Sequence, residues 1–196
     1  MSGKKLMDYQ FTILFSGELV DVNLWIEKAE ELLAAARFLE SPVKAWWSKV
    51  RIEHGQLVAP HMRENVQAQY FMLMAYAIEN YFKALLIQRN YESLRNKLHS
   101  RIPEYIKEHD LVKLAREVNF ELTVDEEELL SRLSRNSIWA ARYPVPARST
   151  GICSIHQLSN GKAYFTAYFG PGDVNRVNQF LDRLRAQVSS EIGKTS

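Results

Sequence analysis

Arg135 and Asn136, followed by Arg142, Tyr143 and Pro144, set two guanidinium groups, an amide and a phenol in one short segment, and His109 stands upstream beside Asp110 and Leu111. A guanidinium offers a planar fork of donors that matches phosphate oxygens, and imidazole is the side chain that trades protons near neutral pH. His109, Arg135, Asn136, Arg142 and Tyr143 are therefore the candidate ligand-binding residues, and the chemistry they suit is recognition of a phosphate-bearing partner. A catalytic residue is not identifiable among them. An unperturbed tyrosine, with a pKa of about 10, is a poor base at neutral pH. His109 just before a helix cap has a structural reading as well as a catalytic one.

The charge pattern points the same way. Net charge is only +2, yet Asp125-Glu126-Glu127-Glu128 gives way to a stretch, Leu129 to Gly172, with no carboxylate, which holds Arg132, Arg135, Arg142, Arg148 and Lys162. Either these cations attract an anionic partner or they pair with carboxylates brought from elsewhere in the fold. Cys153 is the only cysteine, so no internal disulfide forms, and with His156 it supplies two ligands where a tetrahedral site needs four; neither metal nor cofactor is expected. Trp46, Trp47 and Trp139 lie among apolar neighbours and read as packing residues rather than base-stacking platforms.

At 196 residues, 46% hydrophobic and 24% charged, the chain reads as a single globular domain, 1–196, with an N-terminal extension over 1–20. The start lacks the apolar run and cleavage site of a secretory signal. The segment 70–87 is interrupted by Glu79, Asn80 and Lys83, so no membrane span is expected and the protein is read as cytoplasmic.

The elements that must position the candidate residues are mostly helices. Trp25, Ala29, Leu32, Ala36 and Leu39 repeat at three and four and predict a helix over 23–39, stopped by Ser41-Pro42, with a short second helix over 44–50. Residues 54–60 read as a loop. From 62 to 89 there is no Gly or Pro, and two apolar stripes cover the helix nearly all round, which places it at the centre of a bundle with Glu79 and Lys83 pairing on a narrow exposed face. Asp110 is a natural cap for a helix through Val118, and Thr123 with Glu126 forms a capping box for the helix that carries Arg135. Asn160-Gly161 between two alternating runs predicts a β-hairpin near 152–169, an insertion over 150–170, with Phe11 to Phe15 as the candidate third strand. Asp173 caps a last helix with Val174, Val177, Leu181, Leu184 and Val188 on one face.

An Ala-rich helix beginning near Trp25, a central helix carrying Ala77 to Leu86, the His109-Asp110-Leu111 turn, an acid-capped helix and then Arg142-Tyr143-Pro144 together resemble the HEPN superfamily over 22–144. The resemblance implies a mainly α fold, an up-and-down bundle of four to five core helices, here with an added hairpin. It also implies frequent homodimerisation and one of two occupations. One is metal-independent RNA cleavage, often in toxin–antitoxin and defence systems; the other is nucleotide or RNA binding beside a partner such as a nucleotidyltransferase. Catalytic members carry Arg, a polar residue and then His four to six residues on. Arg135-Asn136 matches the opening, but the closing positions hold Ala140, Ala141 and Arg142. The expected function is thus a dimeric nucleotide- or RNA-binding protein without nuclease activity. Two alternatives stand beside it: a divergent ribonuclease using another base, and a protein–protein interaction module.

Overall fold

The helix over 67–89 is buried along most of its length, from Tyr70 to Ile87, and the rest of the molecule is arranged around it. The computed structural model describes residues 3–54, 56–60, 65–140, 154–157, 163–166 and 169–193. Among them lie seven α-helices: α1 (Gly3–Val20), α2 (Val22–Ser48), α3 (Gln67–Arg89), α4 (Tyr91–Arg95), α5 (Leu111–Glu117), α6 (Val124–Arg135) and α7 (Asp173–Ile192). The fold is mainly helical, a bundle, and no helix among the described residues is long and apolar enough to cross a membrane.

The central helix α3 buries residues on all sides, including Tyr70, Phe71, Ile78, Phe82 and Ile87, as a helix without a polar face must. Its most extensive partner is α2, whose fully buried Ala29 and Ala36 let the two backbones come close. Against the other faces of α3 pack α5, α6 and α7. Phe82, Phe120 and Phe180 meet edge to face at 5.6–6.2 Å between centroids and lock α3, the turn before α6 and α7 together. A polar clasp closes the opposite side, where Glu30 of α2 accepts from the Tyr81 hydroxyl and from Arg185 of α7 at 3.0 and 2.7 Å. Burial, then the bond to Glu30, pushes the Tyr81 hydroxyl above its ordinary range.

Two caps form as the sequence predicts and one does not: Asp173, expected to cap the last helix, is its first residue behind Gly172, and its carboxylate accepts from the Gly170 N–H and from Arg132 instead of from the helix's free donors. Asp110 accepts from the Val112 and Lys113 N–H groups, and Thr123 and Glu126 satisfy each other's backbone donors. Asn119, at φ 44°, ends α5 in the left-handed conformation that asparagine tolerates.

Several expectations change. Phe11 to Phe15 is not a strand but the middle of α1, where the Thr12 hydroxyl bonds back to the Asp8 carbonyl and that of Ser16 to Thr12. Pro42 does not stop α2, which runs unbroken to Ser48 and absorbs the predicted second helix. Pro42 itself is exposed, while Val43 and Trp46 beyond it are buried, so burial past the proline outweighs the one backbone bond it removes. The expected loop over 54–60 is in part a strand: β2 (Gln56–Val58) pairs antiparallel with β1 (Arg51–Glu53) just before it, and His54, at φ 51°, stands between them. The central helix begins at Gln67, its first donor held by the Asn65 side chain; residues 61–64 lie outside the described residues. Late in the chain β3 (Ser154–Gln157) and β4 (Ala163–Thr166) pair antiparallel, His156 opposite Tyr164, while Asn160-Gly161 lies outside the described residues.

Candidate functional site

Two segments that the sequence keeps apart, the turn at 109–111 and the end of α6, are joined in space by one hydrogen bond. The Leu111 N–H donates to the Ser134 hydroxyl at 2.9 Å, and that hydroxyl donates to the Leu130 carbonyl at 2.9 Å. Ser134 therefore ties the His109 turn to the residue immediately before Arg135. The turn itself is braced by Glu108, which accepts from the backbone N–H groups of His109 and Asp110 at 2.9 and 3.0 Å. The Asp110 N–H is the main reason that the Glu108 carboxyl sits below the usual carboxylate range.

His109 reaches back onto α3. Its Nδ1 lies 3.0 Å from Oε1 of Glu79, the same oxygen that takes Lys83 Nζ at 2.6 Å, and its side chain is 61% exposed. Glu79 and Lys83 are 7% and 5% exposed, so the pair expected on a polar surface is instead buried, because α3 has no exposed face where they stand. An ionised carboxylate only accepts, so Glu79 holds the proton of a neutral His109 on Nδ1 and leaves Nε2 as the basic nitrogen. An exposed imidazole whose tautomer is set by a buried acid is the arrangement of a base and its orienting group. Glu79 and Lys83 were missed as site residues in sequence; the signal was there, two charges inside an otherwise apolar helix.

The end of α6 is shaped by a single wide turn, Asn136–Ala140, in π-helical geometry, a form that recurs at functional sites. It is pinned to α3 by Tyr76, which donates to the Ser137 carbonyl at 3.0 Å, and by Asn136, which donates to the Ala68 carbonyl at 2.9 Å. Asn136 is buried, its amide turned inward on that carbonyl, so it orients the turn rather than facing a ligand. Arg135 is half-buried. Arg142 and Tyr143 lie outside the described residues.

Arg132, the first cation of the carboxylate-free stretch, is committed inside the molecule. It is 9% exposed and forms a bidentate pair with Asp173 at 2.7 and 3.0 Å and a second pair with Glu128 at 2.5 Å. Burial works against its charge, but the bonds to Asp173 and Glu128 outweigh it and hold its pKa above the ordinary value. Among the described residues no group of three His, Cys, Asp or Glu is placed to hold a metal ion.

A scan against protein-family models, a search of curated proteins and a search of solved structures each find nothing that matches this chain. The residues alone must carry the functional reading.

Proposed function

We propose that this chain is a HEPN-like bundle that acts as a dimer and binds nucleotide or RNA without cutting it, the segment 152–169 forming a hairpin added to the bundle. The binding surface is centred on the junction of the His109 turn with the end of α6, to which His109 and Arg135 contribute while Asn136 shapes the turn; Arg142 and Tyr143, outside the described residues, are proposed as further ligand-binding residues on the sequence alone. The observation that supports it best is the Leu111–Ser134 bond, which sets the His109 turn beside the end of α6 that carries Arg135 and Asn136. Phosphate attracted there meets no carboxylate from the 129–172 stretch itself. A nucleotidyltransferase is the protein partner this reading favours, and co-purification in low salt tests it.

Salt decides the binding claim. A single-stranded RNA titrated by fluorescence anisotropy should lose affinity as salt rises, log K falling with log salt by about 0.7 for each phosphate neutralised. Arg142→Ala should lower that slope by about 0.7. An affinity indifferent to salt, or an Arg142→Ala, Tyr143→Ala double variant that binds as well as the parent, sinks the proposal.

A second reading, a divergent metal-independent ribonuclease, is favoured by the Glu79–His109 contact. Nε2 of His109 would take the 2'-hydroxyl proton, the freed oxygen would attack phosphorus, and the departing 5'-oxygen would be protonated by an acid such as Tyr143, leaving a 2',3'-cyclic phosphate and a 5'-hydroxyl. RNA incubated with the protein and a chelator separates the readings. Cleavage abolished by His109→Ala establishes the second, and RNA recovered intact removes it.

A further inference from the structure

Between α4 and α5 the chain closes round a concavity of 370 Å³ whose lining runs from Ser93 to Tyr105. The loop is held in this shape by His99. Its backbone N–H donates to the Ser16 hydroxyl of α1 at 2.7 Å, and its ring Nε2 lies 3.1 Å from the Leu94 carbonyl. A carbonyl only accepts, so that ring nitrogen carries a proton and clasps the loop onto the end of α4.

Ion pairing stops at the two ends of this loop. Arg95 pairs with Glu92 at 3.2 Å on one side, and Lys107 pairs with Glu104 at 2.7 Å on the other. Lys97 and Arg101 stand between them on the lining, both exposed, and neither forms an ion pair among the described residues. Glu104 is the one carboxylate of the lining, and Lys107 already neutralises it. The hydroxyls of Ser93, Ser100 and Tyr105 and the backbone N–H groups of Ser100, Arg101 and Ile102 also donate to no group among the described residues.

This excess of donors and cations describes the group that would satisfy it. A carboxylate has two oxygens to share, whereas the terminal phosphate of a monoester has three strong acceptors and carries close to two charges. Two cations, one of them a planar guanidinium fork, match the second better than the first. The volume lies in the range of small-ligand pockets, about 300–1,000 Å³, and is more than a lone phosphate fills. Leu98 and Tyr105, 56% and 42% exposed, line the same concavity and give it an apolar wall.

We infer that the 93–105 loop is a binding site for a phosphomonoester carried on a flat apolar group, with the phosphate on Lys97 and Arg101 and the flat group against Leu98 and Tyr105. It is independent of the His109–α6 surface, since neither His109 nor Arg135 lines this concavity.

Calorimetric titration of the full chain with phenyl phosphate in low salt tests it, with amide shifts in nuclear magnetic resonance locating the site. Phenyl phosphate saturates in the millimolar range or below and shifts the amides of 93–105. Lys97→Ala and Arg101→Ala each weaken it by about tenfold, the scale of one charge-assisted hydrogen bond. Both side chains are exposed, so the far-ultraviolet helix signal stays at the parent's level. Tyr105→Ala weakens phenyl phosphate by about two- to tenfold and leaves inorganic phosphate unaffected. Absence of saturable binding, shifts confined to other residues, or a Lys97→Ala, Arg101→Ala double variant that binds like the parent overturns the inference. Benzoate binding as tightly as phenyl phosphate overturns the choice of phosphate, and inorganic phosphate doing so overturns the apolar half. Competition names the source. A 5'-phosphorylated RNA strand that displaces phenyl phosphate where its 5'-hydroxyl twin does not makes the ligand a chain end, and indifference to both makes it a free small molecule. Equal displacement by both overturns the monoester in favour of a phosphodiester.

Discussion

Glu79 accepts from Lys83 and His109 through one oxygen, and it does so in the interior, where two charges remain tolerable only as a pair. Glu79→Gln leaves the Lys83 ammonium buried without its counter-charge. The expected cost is about 3–5 kcal/mol in the urea-unfolding free energy, whereas Glu79→Leu combined with Lys83→Met should fall near the parent. If Glu79→Gln unfolds at the parent's urea midpoint, the pair is not what holds this part of α3. The sequence showed the four-residue spacing of Glu79 and Lys83 plainly, but not their burial, because both apolar stripes of α3 had to be packed before it was clear that no polar face remained. His109 was legible as a chemical group and not as a partner of Glu79. Thirty residues separate them, and only the turn braced by Glu108 brings the ring onto α3.

Helices were most legible where their signals are local. The Asp110 cap and the Thr123–Glu126 box are set by residues two or three apart, and both form. Asp110→Ala should cost about 1 kcal/mol, the usual loss for a cap of this kind, read as a lowered thermal midpoint. Helix α1 was misread because Phe11, Ile13 and Phe15 alternate like a strand over five residues, and a window that short fits both periods. The longer run resolves it: Phe15, Leu19 and Val20 face the core and Met7, Phe11 and Leu14 do not. Helix α2 was cut short for a sound local reason, Pro42, that tertiary packing overrides. Since Pro42 is exposed and the chain on both sides is already helical, Pro42→Ala restores a backbone bond without disturbing the core. It should stabilise the protein by about 1–3 kcal/mol, each kcal/mol raising the midpoint by about 2–4 °C. A lowered midpoint would mean that the proline sets a bend which Val43 and Trp46 need.

Across the whole molecule, the carboxylate-free stretch from 129 to 172 is bracketed by Glu128 and Asp173, and these two acids meet in space on Arg132. In sequence the gap left two readings open, an anionic partner or carboxylates brought from elsewhere in the fold; folding α7 against α6 brings its two ends together and meets the second reading for Arg132. Arg176 completes the network, donating to Asp173 at 2.8 Å, to Glu128 at 3.0 Å and to the Asp125 carbonyl at 2.7 Å. Asp173 also accepts from the Gly170 N–H at 2.7 Å, so the same carboxylate fixes the chain's entry into α7. Burial raises its pKa, but the bond from Arg132 and then that from Gly170 prevail and hold it below the ordinary 3.8. A group depressed in the folded state stabilises fully above its unfolded value and loses that contribution as pH falls through the folded one. The urea midpoint of the parent should therefore hold steady above pH 3.8 on this group's account and fall below it, with α7 the element released. Asp173→Asn should destabilise the protein at neutral pH by about 3 kcal/mol, because Arg132 stays buried with half its partners gone. It should also flatten the acid limb, since the amide has no proton to gain. A variant that keeps the parent's acid limb would place the pH sensitivity on Glu128 or on carboxylates elsewhere, and would leave Asp173 only the task of turning the chain into α7.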